Sequence, residues 1–324
     1  MSHARSPAPF STDLAPEMAA LAARVLAEDG PQPDPTLLPA AEGRQLAEAG
    51  NRRWNVDLPE MARVGTAHVP ADPALGSAEV RLLVLVPPEA KAGAILFVHG
   101  GGFAFCSPET HERCARVLAA ETGRPVILPD YRLAPEHPYP AGLMDVVAAW
   151  RGAFEATAAL GVQPGPMILA GDSAGAGLCV SALVHQGARG RADAALLFYG
   201  VYAADFETPS YRSFADGPGL TRGKMQRYWD FYLADPAARG DPLVSPLLAS
   251  DEALATLPPL HLMAAGIDPL LSDTLNFEAR LASLGRSERT EIVPGVVHGF
   301  LQMSRDLPQA REALGRAAAF VNAI

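Results

Sequence analysis

The chain has 324 residues, 49 % of them hydrophobic and 19 % charged, which excludes wholesale disorder and allows a large apolar core without disulfides or metals. The formal net charge is −10 and 24 of the 26 basic residues are Arg, with Lys only at Lys91 and Lys224. A chain this acidic, with no basic run, is a poor partner for nucleic acid or an anionic membrane, and neither is expected.

In chain order, the N-terminal stretch lacks the apolar run of a signal peptide, and no segment reaches the roughly 20 apolar residues of a membrane span. A cytoplasmic protein is the expectation. Leu14, Met18, Leu21 and Val25 recur at helical spacing until Pro31, Pro33 and Pro35 break the pattern. A second helix is expected over 40–49. Residues 1–60 read as one helical region.

From about Val64, short apolar runs alternate with Ala-rich stretches. Strands are expected at 81–86, 94–98, 125–128, 167–170, 194–199, 260–264 and 289–293. Helices are expected at 108–122, 141–159, 174–186, 272–284 and 307–323. This alternation predicts βαβ units on a mostly parallel sheet covered on both faces. Residues 200–245 interrupt it, with no strand pattern and one helix over 219–233. This stretch holds Tyr202, Phe206, Tyr211, Phe214, Tyr228, Trp229, Phe231 and Tyr232, eight of the 22 aromatics of the chain. An aromatic-rich insertion after a strand end suits a cap over a ligand site. The alternative is a helical excursion whose aromatics fill a local core.

Gly171-Asp172-Ser173-Ala174-Gly175 fits G-x-S-x-G between a strand and a helix, the context of a nucleophile elbow. Its glycines also resemble a dehydrogenase cofactor turn. That chemistry pairs a Tyr with a Lys four residues on, and neither Lys has one. His99-Gly100-Gly101-Gly102-Phe103 follows another strand. Its glycine amides can turn toward a ligand and, with the amide of Ala174, form an oxyanion hole. His99 is expected to brace this loop.

A hydroxyl nucleophile needs a base, and the base needs an orienting carboxylate. His298 is the only His after Asp268, and both follow strand ends. His3, His68, His99, His111, His137, His185 and His261 precede any acid in the order Ser, acid, His. Asp273, the competing acid, lies inside an expected helix, where it would serve the N-terminus. Cys106, Cys114 and Cys179 are read as free thiols, and no metal site is expected: His111-Glu112 starts an HExxH pattern that Ala115 breaks.

Together HGGGF at 99–103, GDSAG at 171–175, DPL at 268–270, HGF at 298–300 and DYRLAPE at 130–136 resemble the α/β-hydrolase fold. They resemble in particular the hormone-sensitive-lipase-like carboxylesterases, bacterial family IV. The resemblance covers residues 65–324 and implies an eight-stranded, mostly parallel sheet flanked by helices. It implies a core over 61–200 and 244–324 and a two-part helical cap over 1–60 and 201–243. It assigns Ser173, Asp268 and His298 as a triad and Gly101, Gly102 and Ala174 as oxyanion donors, with no cofactor. Asp130, Arg132 and Glu136 are implied to form a salt-bridged turn. After DPL the family usually has Arg-Asp, where this chain has Leu271-Ser272-Asp273.

The expected activity is hydrolysis of small-molecule esters with acetyl to about hexanoyl groups, a range set by typical pocket size. Phe103, Tyr202, Phe206 and Phe214 are the expected pocket wall. An amidase, a lactonase or a non-catalytic binding protein on the same fold are the alternatives. Resemblance points to a homodimer.

Overall fold

The computed structural model describes residues 10–187 and 192–324; His3 lies outside them. Eight strands form one sheet: β1 (Arg63–Val69), β2 (Val80–Val86), β3 (Ala94–Val98), β4 (Val126–Asp130), β5 (Met167–Asp172), β6 (Ala194–Phe198), β7 (Leu260–Ile267) and β8 (Thr290–Val297). Their order is β1-β2-β4-β3-β5-β6-β7-β8. From β4 to β8 all neighbours pair in parallel. β2 is antiparallel to both β1 and β4. The segment between β1 and β2 contains no helix to carry a crossover, so these two strands pair as a hairpin.

Successive side chains of a strand point to opposite faces, and the core divides accordingly. Leu96 and Val98 of β3 join Leu169, Leu197 and Leu262 in one layer. This layer lies under α4 (Ala141–Thr157), α5 (Ala174–Gln186) and α9 (Leu271–Ser283). Ile95 and Phe97 join Ile168, Phe198 and Met263 in the other, under α3 (Glu112–Thr122) and α10 (Pro308–Asn322). Burial on both faces explains why these strands are continuous apolar runs.

The N-terminal helices part company. In α1 (Pro16–Asp29), Met18 and Leu21 are buried in the layer beneath α10. Only α2 (Ala40–Asn51) and the single turn Arg52–Trp54 reach the C-terminal ends of the strands. The segment 200–245 has no strand. It holds α6 (Pro209–Ser213), which shows no periodicity at five residues, and α7 (Arg222–Tyr232). α8 (Asp251–Ala255) starts on the capping hydroxyl of Ser250. Among the described residues, no helix is long and apolar enough to cross a membrane.

Candidate active site

β5 runs straight into α5 through one residue. Ser173 has φ 55° and ψ −123°, a strained conformation that lifts its side chain off the sheet. The turn is possible because its neighbours lack side chains. A Cβ on Gly175 would strike the carbonyl of Val98, and one on Gly171 would stand 2.6 Å from the Gly175 backbone.

β7 and β8 deliver the other two residues. Asp268, fully buried, follows β7, and His298 follows β8. His298 Nδ1 lies 2.7 Å from Asp268 Oδ2, and its Nε2 lies 2.9 Å from Ser173 Oγ. The second Asp268 oxygen accepts the Leu270 amide at 2.8 Å, and the Tyr199 ring stands edge-on to the imidazole at 4.9 Å. The aspartate is thus held from two sides and the imidazole from three.

Gly101 and Gly102 occupy left-handed conformations, φ 112° and 60°, that an L side chain resists. Among the described residues, the amides of Gly101, Gly102 and Ala174 donate to no backbone acceptor. Ala174 opens α5, whose N-terminus favours negative charge. His99 lies beneath the loop: its Nδ1 is 2.8 Å from Gly100 O and its ring stacks on Tyr131 at 4.4 Å. Burial, reinforced by neighbouring His111, pushes its pKa down to about 3, so it is a neutral brace.

A chamber of about 240 Å³ stands over Ser173. Gly101, Gly102, Asp172 and His298 border it from the strand ends, His111 from the turn before α3, and Asn51, Trp54, Leu220, Met225 and Tyr228 from the other side. A more polar cleft of about 730 Å³ adjoins it, sharing Asn51 and Cys106.

The expected wall residues lie elsewhere. Phe103, Tyr202, Phe206 and Phe214 do not border this chamber. Phe103, in a left-handed conformation with φ 63°, stacks on Tyr232 at 3.9 Å. Tyr202 stacks on Phe277 of α9 at 4.5 Å, Phe206 stands edge-on to Tyr211, and Phe214 is buried. These aromatics belong to the packing around the insertion, with Phe206 only partly buried. Of that cluster, Tyr228 reaches the chamber, on the side of α7 that meets the glycine loop. Helical spacing alone does not say which aromatic faces the sheet.

Asp273 also departs from expectation. Its Oδ1 accepts the amide of Tyr202 at 3.3 Å, so it braces the chain leaving β6 and not its own helix. Burial pushes its carboxyl well above the usual range. The charges of the DYRLAPE segment pair outward: Asp130 with Arg81 at 2.9 Å, Arg132 with Asp145 at 2.8 Å, and Glu136 with Arg44 of α2. The turn is salt-bridged, but to other segments. Sequence reasoning missed Asn51, Trp54, Leu220 and Met225, which carry no motif, and the contact of His111 with Asp172.

Known proteins resemble this chain in sequence and in fold. A family model described as alpha/beta hydrolase fold matches residues 95–302. Carboxylesterase NlhH of Mycobacterium tuberculosis is 34 % identical over 295 residues, covering 88 % of this chain and 91 % of that protein. An ester hydrolase from the metagenome of Lake Arreo superposes with a TM-score of 0.85 at 31 % identity, covering 96 % of this chain and 98 % of its own. A thermostable esterase from Pseudomonas putida ECU1011 reaches 0.88 at 27 % identity, covering 97 % and 98 %.

Proposed function

This chain belongs to the alpha/beta hydrolase fold family as a carboxylesterase of the hormone-sensitive-lipase-like kind, and from that premise we propose a serine esterase acting through Ser173, His298 and Asp268. The observation that carries the reading is the imidazole of His298, held between Asp268 at 2.7 Å and Ser173 at 2.9 Å at the chamber. A carboxylate only accepts, so Nδ1 carries the proton toward Asp268 and Nε2 takes the one from Ser173.

Ser173 Oγ attacks the ester carbonyl carbon while its proton passes to His298 Nε2. Asp268 holds the imidazolium that forms. The carbonyl electron pair moves onto oxygen, facing the amides of Gly101, Gly102 and Ala174. As the pair returns, the carbon–oxygen bond to the alcohol breaks and His298 protonates the departing alcohol. Water, deprotonated by His298, then attacks the acyl-enzyme and releases the acid and Ser173.

The small chamber supports acyl groups from acetyl to about hexanoyl, since ligand pockets commonly exceed 300 Å³. The polar cleft beside it offers room for the remainder of the ester. Of the two-part cap over residues 1–60 and 201–243, Asn51, Trp54, Leu220, Met225 and Tyr228 on the chamber wall support α2, the turn after it and the insertion, while α1 packs beneath α10. Arg227 joins its parts through Asp34 at 2.5 Å and Thr36 at 2.6 Å.

Hydrolysis of p-nitrophenyl esters from acetyl to dodecanoyl tests the reading. Ser173→Ala should lose at least about 10³-fold in rate. Equal turnover by both proteins would overturn the nucleophile, and faster turnover of dodecanoyl than butyryl ester would overturn the short-chain range.

A further inference from the structure

Beside the nucleophile lies a carboxylate with no part in the mechanism above. Asp172 ends β5 and is 4 % exposed. Among the described residues, no arginine or lysine pairs with it. Its Oδ1 accepts the Gly100 amide at 2.8 Å and lies 3.2 Å from His111 Nε2. A Cβ on Gly100 would stand 2.7 Å from its other oxygen, so the loop backbone lies directly on the carboxylate. These contacts hold Asp172 below the usual carboxylate range against the burial that pushes it up, His111 doing most of it. His111 is 3 % exposed and anchored in turn: its Nδ1 is 2.8 Å from the Thr110 hydroxyl, which bonds Ser107 O at 2.7 Å.

The positions in the chain give this arrangement its consequence. Asp172 precedes Ser173, and Gly100 precedes Gly101 and Gly102. One carboxylate therefore ties the nucleophile turn to the loop whose amides face the developing oxyanion. A buried carboxylate keeps its orientation only while its donors satisfy it. Oxyanion donors act within about 2.7–3.1 Å of the developing charge, so a small tilt of the loop weakens them. We propose that His111 is a positioning residue for the oxyanion loop, acting through Asp172. The proposal rests on the Ser173 chemistry set out above.

The test compares wild type, His111→Ala, His111→Gln and Ser173→Ala on p-nitrophenyl butyrate and with an alkyl trifluoromethyl ketone. The ketone adds Ser173 Oγ to its carbonyl carbon and leaves the carbonyl oxygen as an oxyanion, so its affinity reports the oxyanion site directly. His111→Ala, assayed well below its melting temperature, should lose about 10–100-fold in kcat, the scale of a misplacement near 1 Å, with KM within about threefold. Ketone affinity should fall by a similar factor. His111→Gln, whose amide places an N–H near the position of Nε2, should recover most of both. Should His111→Ala not fold, His111→Leu, which fills the site without a donor, carries the same expectation. Unchanged kcat in the folded variant, a loss confined to KM, unchanged ketone affinity, or a Gln variant no better than Ala would each overturn the proposal. Retained activity in Ser173→Ala would overturn the nucleophile, and the proposal with it.

Discussion

One side of the chamber over Ser173 includes Gly101, Gly102, Asp172, Ser173 and His298, all at or just after strand ends; the other includes Asn51, Trp54, Leu220, Met225 and Tyr228, from segments that contain no strand. The first side is held by short local constraints: a strained φ of 55° at Ser173, left-handed glycines, and a buried aspartate with both oxygens bonded. The second is held by contacts between distant segments, among them Arg227 with Asp34 and the Phe105 ring against Tyr228 at 5.5 Å. Covalent neighbours and sheet register leave the floor little freedom. The roof is placed by side-chain packing, which tolerates more substitution. Reaction chemistry is therefore expected to respond sharply to floor changes, and substrate range to roof changes.

The floor should break first at its acid. Asp268→Asn should lower kcat by about 10²–10⁴-fold, whereas Asp273→Asn, five residues on, should cost less than about tenfold, because Asp273 braces Tyr202 and touches no triad member. Steady-state kinetics of the two variants decide between them, and a larger loss at Asp273 would reverse the assignment.

Floor and roof meet at Gly102. A Cβ there would run into the ring of Tyr228, and the φ of 60° disfavours any L side chain. Gly102→Ala should lower kcat at least about 100-fold, the cost of a misplaced oxyanion donor. Adding Tyr228→Ala should recover part of that loss if collision with the roof is a cause, and none if backbone strain alone is.

The floor also carries a pH dependence beneath its glycine loop, at His99. Folded His99 stays neutral down to about pH 3, while the unfolded chain protonates it below about 6.5. Below 6.5 the unfolded state binds more protons, so stability falls as pH falls. Between pH 7 and 5 this loss is about 2 kcal/mol. Melting curves of wild type and His99→Asn at the two pH values should differ by that slope; parallel slopes would mean that His99 charges in the folded state.

The smallest effect belongs to the roof. Arg227→Met removes a partly exposed ion pair with Asp34 and should cost about 1 kcal/mol in stability. KM should rise more than kcat falls. An equal fall in kcat would mean that the roof supports the chemistry as well as the substrate.

The alternating apolar runs were enough to find seven of the eight strands closely, because strands buried on both faces have little choice of residue. The G-x-S-x-G and HGGG motifs marked the elbow and the loop for a related reason: at Gly175 and Gly101 any side chain would hit backbone. The order of His298 after Asp268 singled out the histidine that stands 2.9 Å from Ser173 Oγ and 2.7 Å from Asp268. What tertiary structure alone decided was everything that depends on which face of a helix looks inward. Phe103, Tyr202, Phe206 and Phe214 have the composition of a pocket wall, yet they pack against Tyr232, Phe277, Tyr211 and Phe10 and none borders the chamber. Asn51 and Trp54 carry no motif, yet they border the chamber. The pairing of His111 with Asp172 joins residues 61 apart in sequence, from α3's leading turn and the end of β5, and no local pattern encodes it. Local sterics leave a signature in the residues themselves; packing between distant segments is a property of the pair, visible only once the chain has folded.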